Sequence, residues 1–213
     1  YGSSLTNAIR DREDIEKAKQ WLLEQPQRYS DQPLNIRNYC LFVFCCNCAR
    51  RISDILSFNV SDVVHPNGSI KKKIYLLEQK TGKYESVYTN PATYEALKRY
   101  LEARAGCELT DPKFQELMDE PLFLGREGRI TRHRAWEITS RMGDAIGLKE
   151  KGINFAPHGC RKTWAYQSLK NNANNPIALA TVSEALNHSS EKVTRKYADI
   201  TEEEIENLYN STV

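Results

Sequence analysis

Residues 69–89 read SIKKKIYLLEQKTGKYESVYT, and this stretch decides the fold class. Residues 69–79 and 84–89 have the composition and alternation of β-strands. Between them, Lys80-Thr81-Gly82-Lys83 places a glycine in a tight turn, and His65-Pro66-Asn67-Gly68 marks another turn just before the stretch. The sequence therefore predicts an antiparallel β-hairpin.

Helical patterns surround this hairpin on both sides. Asn90-Pro91, for example, pairs an N-cap residue with a proline at the first helical position. Apolar spacing, caps and prolines predict helices over residues 11–25, 34–49, 51–58, 90–105, 131–145, 157–171, 176–186, a segment ending at 197, and 202–209. The predicted fold class is mainly α with a small antiparallel β-sheet (α+β), and 213 residues favour one domain.

Composition excludes several classes of protein. Hydrophobic residues make up 40% and charged residues 27%, which argues against a collagen-like or mostly disordered chain. The longest apolar run, residues 40–46, is far shorter than the roughly 20 residues of a membrane-spanning helix. No basic leader followed by an apolar run opens the chain, so we expect no secretory signal. A net charge of +2 neither requires nor excludes nucleic acid as a partner.

The six cysteines indicate a reducing compartment. Four of them crowd into residues 40–48, a poor layout for disulfides, so we expect free thiols in a cytoplasmic protein. Cys45-x-x-Cys48 is an alternative half of a zinc site, but no second Cys/His pair with ligand spacing follows it. We therefore expect no metal and interpret these cysteines as small buried residues.

Several cationic features are candidates for binding an anion. His158-Gly159-Cys160-Arg161 follows Pro157 at a predicted helix start, where the helix dipole favours negative charge. Arg51 lies among apolar residues with Asp54 three positions on, and the loop 126–134 is rich in arginine. Spacing alone leaves plainer interpretations open: a solvated helix start, an intrahelical ion pair, a solvated loop and, for Lys80, a solvent-facing turn.

Taken in order, these features resemble the tyrosine recombinases of the phage-integrase family. Arg51-Ile52-Ser53-Asp54-Ile55-Leu56 is similar to the family box Arg-Ile-Ser-Glu-Leu-Leu. Further matches are the Lys80 hairpin, the box beginning His158-Gly159-Cys160-Arg161, the segment Leu186-Asn187-His188-Ser189-Ser190, and Tyr197 nine residues after His188. The resemblance covers about residues 10–213.

The departures from the family pattern are modest. Arg50 stands where an apolar residue is common, so either adjacent arginine could be the functional one; the register with Asp54 favours Arg51. Lys162 replaces a frequent histidine, and Asn187 replaces a glycine. Because asparagine tolerates a left-handed backbone, we expect the last change to be nearly silent.

The resemblance implies a site-specific DNA recombinase that cleaves and rejoins strands through a 3′-phosphotyrosine, without metal, ATP or another cofactor. Tyr197 would be the nucleophile, and Arg51 and Arg161 would neutralise the phosphate. His158 and His188 would hold the phosphate and manage the tyrosine proton, and Lys80 would protonate the leaving 5′-oxygen. Asp54 would hold Arg51.

The resemblance also implies partners and domain organisation. Residues 1–10 would be a loose lead-in from an N-terminal DNA-binding domain, and residues 11–213 the catalytic domain. Double-stranded DNA would be bound by a homotetramer on two sites, with the C-terminal segment and its helix 202–209 packing in trans. The expected contacts to the DNA backbone are Arg126, Arg129, Arg132, Arg134, Lys83 and Lys162. Lysine- and asparagine-rich composition points to a bacterial mobile element.

Two alternatives share this fold. A type IB topoisomerase uses the same tyrosine chemistry, but those enzymes usually carry lysine where this chain has His158. A non-catalytic DNA-binding module would not need the complete set of six functional side chains. The recombinase interpretation is therefore preferred.

Overall fold

The computed structural model describes residues 6–26 and 32–197. This part is mainly helical with two small antiparallel sheets, which confirms the predicted α+β class. The helices are α1 Arg12–Glu24, α2 Leu34–Cys46, α3 Ile52–Ser57, α4 Val60–Val63, α5 Pro91–Ala105, α6 Arg132–Ala145, α7 Pro157–Asn171, α8 Ala178–Ala185 and α9 Glu191–Tyr197, with a 3₁₀-helix at Pro112–Leu117. The strands are β1 Lys73–Leu77, β2 Tyr84–Tyr88, β3 Leu124–Gly125 and β4 Gly128–Arg129.

The predicted hairpin is formed by β1 and β2, whose register pairs Lys73 with Tyr88 and Leu77 with Tyr84. β1 begins later than predicted because residues 70 and 71 bond back to the end of α4 instead. Ile74 is buried in the core, while Tyr84 on the outer face is exposed. The hairpin therefore presents one face to the domain and carries its turn out to solvent.

The core is built around α2, which packs against α1, α5 and α7. Because α2 has neighbours on several sides, it is apolar around most of its circumference. The predicted extension to residue 49 is wrong. Asn47 ends the helix at Cys46 by donating its side-chain amide to the Val43 carbonyl at 2.8 Å. Residues 47–51 therefore lead into α3 with Arg51 at its N-cap position.

A second, smaller cluster joins the C-terminal helices. Ala165 of α7 packs with Val182 and Leu186 from α8 and its end, and the Tyr197 side chain lies against this group. This packing places the end of α9 over the first turns of α7.

The N-terminal segment is part of the domain from residue 6 onward. Ala8 and Ile9 are buried, and the Ile9 backbone N–H donates to Thr163 Oγ1 at 2.8 Å. The expectation of a loose lead-in over residues 1–10 is therefore corrected for residues 6–9.

The basic loop also contains structure that the sequence did not predict. Residues 124–129 form the β3–β4 hairpin, in which Gly128 adopts a φ of 108° that favours glycine. Thr131 then caps α6, as predicted, by accepting a hydrogen bond from the Arg134 backbone N–H. The predicted helix 202–209 lies outside the described residues. None of the described helices is both long and apolar enough to cross a bilayer.

Candidate active site

Three segments that are distant in sequence converge at the start of α7. They are the turn before α3, which carries Arg51, the first turns of α7, and the α8–α9 region with His188 and Tyr197. The Tyr197 ring meets the His158 ring edge-on at 5.2 Å between centroids and the His188 ring at 4.8 Å. Arg161 Cζ lies 5.8 Å from the Tyr197 ring centroid.

The start of α7 approaches its neighbours closely because residue 159 is glycine. A Cβ on Gly159 would lie 2.7 Å from the Asn7 carbonyl oxygen and 2.8 Å from Phe155 Cδ2. His158 and Arg161, three residues apart, then project from neighbouring positions on one helical face. Cys160 between them is fully buried in the core.

Arg161 is buried and held by the backbone. Its guanidinium donates through Nη2 to the Leu186 carbonyl at 2.6 Å, while its Nε has no partner among the described residues. Burial lowers the pKa of Arg161, and the charges of Arg51 and Arg50 add to this effect. An arginine in such surroundings gains from an anionic ligand.

His188 is oriented by a chain of side-chain hydrogen bonds. Its Nδ1 lies 2.9 Å from Thr194 Oγ1, which donates to Ser183 Oγ at 2.9 Å. This pattern favours a proton on Nδ1 and leaves Nε2 as the acceptor. Asn187 before it adopts the predicted left-handed conformation, with φ at 54°.

Both histidines are neutral at pH 7 in this structure. Burial lowers the pKa of His158 to about 4, with further contributions from nearby cations such as Arg161. Burial lowers the pKa of His188 to about 4 as well, and Arg161 and Arg51 add to it. A neutral imidazole can accept a proton from a phenol.

The Tyr197 hydroxyl is buried without a hydrogen-bond partner among the described residues. Burial raises the pKa of Tyr197 to about 12, although the positive charges of Arg161 and Arg51 oppose the rise. The phenol is therefore fully protonated at neutral pH.

The predicted partner of Arg51 is wrong. Arg51 Nη1 lies 2.5 Å from Glu78 Oε1, whereas Asp54 accepts a hydrogen bond from the Gln79 backbone N–H at 3.0 Å. Asp54 is fully buried and anchors the end of β1. Its carboxylate thus positions the hairpin that carries Lys80.

Sequence reasoning missed Glu78 as a site residue and gave Arg50 no role. Arg50 is buried, donates to the Ala185 carbonyl at 2.5 Å and lies 3.4 Å from Glu85. The missed signal was the alternation of β1: Ile74, Leu76 and Glu78 share one face, so a buried carboxylate at its end required a cationic partner.

The remaining predicted residues are spread over the surface. Lys80 and Lys83 are exposed in the turn of the β1–β2 hairpin, outside the buried cluster around Tyr197. Arg126 and Arg132 are exposed, and Arg134 pairs with Glu137 at 2.8 Å.

Arg129 and Lys162 have structural partners. Arg129 donates to the Leu56 and Phe58 carbonyls at 2.7 and 2.6 Å, which ties the basic loop to the end of α3. Lys162 is buried, and its Nζ donates to the Thr6 carbonyl at 2.6 Å. The contact of Lys162 with the DNA backbone stays a prediction; in this structure its Nζ also lies 5.6 Å from the Tyr197 ring centroid.

The cysteines are free thiols. Cys45, Cys48 and Cys160 are buried, and burial raises the pKa of Cys48 to about 12. Over residues 6–26 and 32–197, no group of three or more His, Cys, Asp or Glu side chains is arranged to hold a metal ion. The zinc alternative has no ligand set in that part of the chain.

Comparison with known proteins agrees with this geometry. The profile of the family described as "Phage integrase family" matches residues 16–204. The chain is similar to the probable integrase/recombinase YoeC of Bacillus subtilis (strain 168), at 29% identity over 93% of this chain and 92% of that protein. It is also similar to the tyrosine recombinase XerD of Mycobacterium leprae, at 27% identity over 81% of this chain and 51% of that protein.

Solved structures share the fold. The XerH site-specific recombinase in a post-cleavage complex with palindromic difH substrate superposes with a TM-score of 0.67 at 20% identity, over 97% of this chain and 53% of that one. The Tn1549 transposon integrase in complex with transposon right end DNA gives a TM-score of 0.63 at 16% identity, over 95% of this chain and 65% of that one. The chain spans about half the length of the Xer proteins it matches.

Proposed function

Because the chain belongs to the phage integrase family, we propose that it is the catalytic domain of a site-specific DNA recombinase, which cleaves and rejoins strands through a 3′-phosphotyrosine intermediate. One observation carries the proposal: the Tyr197 phenol lies between the rings of His158 and His188 beside the Arg161 guanidinium. Those side chains are the ones needed to bring an oxygen nucleophile to an anionic phosphodiester.

The phosphate binds between Arg51 and Arg161. Two guanidinium groups neutralise the non-bridging oxygens and the additional charge of the pentacoordinate transition state, and each such donor is typically worth about 10² or more in rate. The unpaired Nε of Arg161 and the partial exposure of Arg51 support this role.

Tyr197 then attacks phosphorus. Deprotonating a phenol of pKa about 12 at pH 7 requires about 7 kcal/mol, so the proton has to leave as the bond forms. A neutral histidine, His158 or His188, accepts that proton. As the bond from phosphorus to the 5′-oxygen breaks, Lys80 at the hairpin turn donates a proton to the departing oxygen.

The products are a 3′-phosphotyrosyl link and a free 5′-hydroxyl. Because the link retains the energy of the phosphodiester, the 5′-hydroxyl of another strand can reverse the reaction without ATP. No step in this scheme requires a metal ion or another cofactor.

The partners follow from this function. We place the chain on double-stranded DNA, as a homotetramer on two sites with its C-terminal segment packing on a neighbour. The solved relatives that hold DNA support the DNA partner. Exposed Arg126, Arg132 and Lys83 are the proposed backbone contacts. We also propose an additional N-terminal DNA-binding domain, for which the greater length of the Xer relatives leaves room. The protein would serve a mobile element in the bacterial cytoplasm.

A covalent trap tests the function. The protein is incubated with duplexes that carry a randomised central segment and a nick, so that the short cleaved fragment diffuses away. We expect a protein–DNA adduct on a denaturing gel, and sequencing its attached strand identifies the site. Tyr197→Phe should remove the adduct completely, whereas Tyr94→Phe, at an exposed tyrosine, should retain it.

Three results would contradict this proposal. An adduct formed by Tyr197→Phe would exclude Tyr197 as the nucleophile. Absence of any adduct with the unaltered chain would favour a non-catalytic DNA-binding module. Relaxation of supercoiled plasmid of any sequence, without strand exchange, would favour a type IB topoisomerase.

A further inference from the structure

Glu78 is a fully buried carboxylate at the point where β1 enters the hairpin turn. It follows Ile74 and Leu76 on the inward face of the strand, where an unpaired charge would be strongly unfavourable. Neighbouring groups therefore have to compensate the charge, and they lie on two sides of the carboxylate.

The two carboxylate oxygens contact different parts of the site. Oε1 lies 2.5 Å from Arg51 Nη1, and Oε2 accepts a hydrogen bond from Thr81 Oγ1 at 2.6 Å. Thr81 is the residue after Lys80. One side chain thus connects the phosphate-binding arginine to the turn that carries the lysine.

The backbone of Glu78 closes the same turn. Its N–H donates to the Lys83 carbonyl at 2.9 Å, and its carbonyl accepts from the Gly82 N–H at 2.8 Å. These bonds determine where the turn begins. The Thr81 hydroxyl then fixes the orientation of the turn relative to Arg51.

Glu78 also offsets a concentration of positive charge. Burial alone would raise the pKa of Glu78, but the Thr81 hydrogen bond and the charges of Arg51, Arg50 and Arg161 outweigh it and lower the pKa. The carboxylate is ionised at neutral pH, so Arg51 is paired in the absence of an anionic ligand.

We propose that Glu78 is a positioning residue for strand cleavage, which orients Arg51 through one oxygen and the Lys80 turn through the other. The inference rests on the proposed function and adds a residue to it. When a phosphate binds Arg51, Glu78 holds the guanidinium from the opposite side and keeps the lysine turn at a fixed distance. Glu78 thereby links the arginine to the general acid, while Asp54 holds the start of the same turn through the Gln79 N–H.

Two substrates separate the two halves of this role. One is a nicked duplex with an ordinary 5′-oxygen leaving group, and the other has sulfur in place of that oxygen. A thiolate leaves without protonation because its pKa is low, so cleavage of the sulfur substrate does not need Lys80. Lys80→Ala is the reference variant, because its cleavage rate should be restored fully when sulfur replaces the leaving oxygen.

Thr81→Val removes the bond between Glu78 and the turn, together with the longer bond of 3.4 Å that the Lys83 N–H donates to Thr81 Oγ1. We expect it to slow single-turnover cleavage of the oxygen substrate about tenfold and to cleave the sulfur substrate at nearly the unaltered rate. Glu78→Gln also removes the charge that faces Arg51 and, at 3.8 Å, Arg50. We expect it to slow cleavage of both substrates, with a loss of about 10²-fold that sulfur rescues only in part.

Glu85→Gln is the matched control. It removes a second carboxylate, 3.4 Å from Arg50, without touching Arg51 or Thr81, and should cleave both substrates at the unaltered rate. Because Thr81 is exposed, Thr81→Val keeps the test decisive even where Glu78→Gln does not fold.

Equal cleavage by the unaltered chain, Thr81→Val and Glu78→Gln would overturn the positioning role while leaving the proposed function intact. A Thr81→Val defect of the same size with both substrates would overturn the link to Lys80. Absence of an adduct with the unaltered chain would overturn the proposed function and this inference together.

Discussion

At the scale of single residues, burial keeps the tyrosine and the histidines of the site uncharged at neutral pH while no anion is bound. Tyr197 has its pKa raised to about 12, and His158 has its pKa lowered to about 4, in both cases chiefly by burial. A phosphate between Arg51 and Arg161 would change this balance, because negative charge favours protonated histidine. The chemistry is thereby tied to occupancy of the site by DNA.

Stability should fall as the pH is lowered from about 6.5 to about 4. The folded protein holds His158 and His188 neutral with pKa values of about 4, whereas the unfolded chain takes up protons near the ordinary value of about 6.5. Their contribution to stability is complete above pH 6.5 and is lost through that window. Urea unfolding of the unaltered chain and of His158→Asn and His188→Asn, at several pH values, measures it.

The difference between variants is the informative quantity, since carboxylates also titrate at low pH. We expect the histidine variants to show a weaker pH dependence than the unaltered chain. His65→Asn, at an exposed histidine without an ion pair among the described residues, is the control variant. Parallel curves for all the variants would contradict the lowered histidine pKa values.

At the scale of elements, the periodicity of apolar residues predicted the helices and the hairpin well. Their ends are set by local hydrogen bonds that compete with those of the helix or strand. The Asn47 side chain stops α2 three residues early, and β1 begins four residues late because Lys71 bonds to Val63. The pairing of Arg51 with Glu78 instead of Asp54 depends on how the hairpin meets α3, which is a tertiary contact. The alternation of β1 indicates that Glu78 is buried, but it does not show which cation pairs with it.

Lys162 illustrates the same limit. A lysine in a basic helix start is most simply a surface residue, but Lys162 is buried and its Nζ donates to the Thr6 carbonyl, a contact that depends on the path of the N-terminal segment. The cluster of His158, Arg161, His188 and Tyr197, in contrast, was predictable from a resemblance that specified each position. The motif positions of a family indicate which residues lie close together in the fold, whereas secondary-structure propensity does not.

Gly159→Ala should destabilise the fold by about 1–3 kcal/mol. The added methyl would lie 2.7 Å from the Asn7 carbonyl oxygen and 2.8 Å from Phe155, so α7 or the N-terminal segment has to shift. Thermal unfolding measures the loss, and single-turnover cleavage reports the displacement of Arg161. Lys170→Ala, at an exposed position of the same helix, is the control and should change neither quantity. An unchanged melting temperature for Gly159→Ala would show that the α7 contact is looser than described.

At the scale of the whole molecule, the domain is closed by contacts between its beginning and the helix that carries the site. Ile9 and Thr163 are separated by 154 positions, yet the Ile9 N–H donates to the Thr163 hydroxyl. The same hydroxyl donates to the Gly159 carbonyl at 2.8 Å, within the turn that presents His158 and Arg161. The N-terminal segment therefore supports α7 directly beneath the candidate active site.

Thr163→Val tests this closure with a side chain of nearly the same shape. It leaves the buried Ile9 N–H without an acceptor, which should lower the free energy of unfolding by about 1–3 kcal/mol. Thr163→Ser keeps the hydroxyl and loses only a methyl group, so it should lose less stability. Because the residues on either side of the contact are over 150 positions apart, the loss should appear as one cooperative shift in urea unfolding rather than as a separate early transition. Equal stabilities for the valine and serine variants would mean that the hydroxyl bond does not hold the chain's beginning to α7, and that burial of Ala8 and Ile9 alone does so.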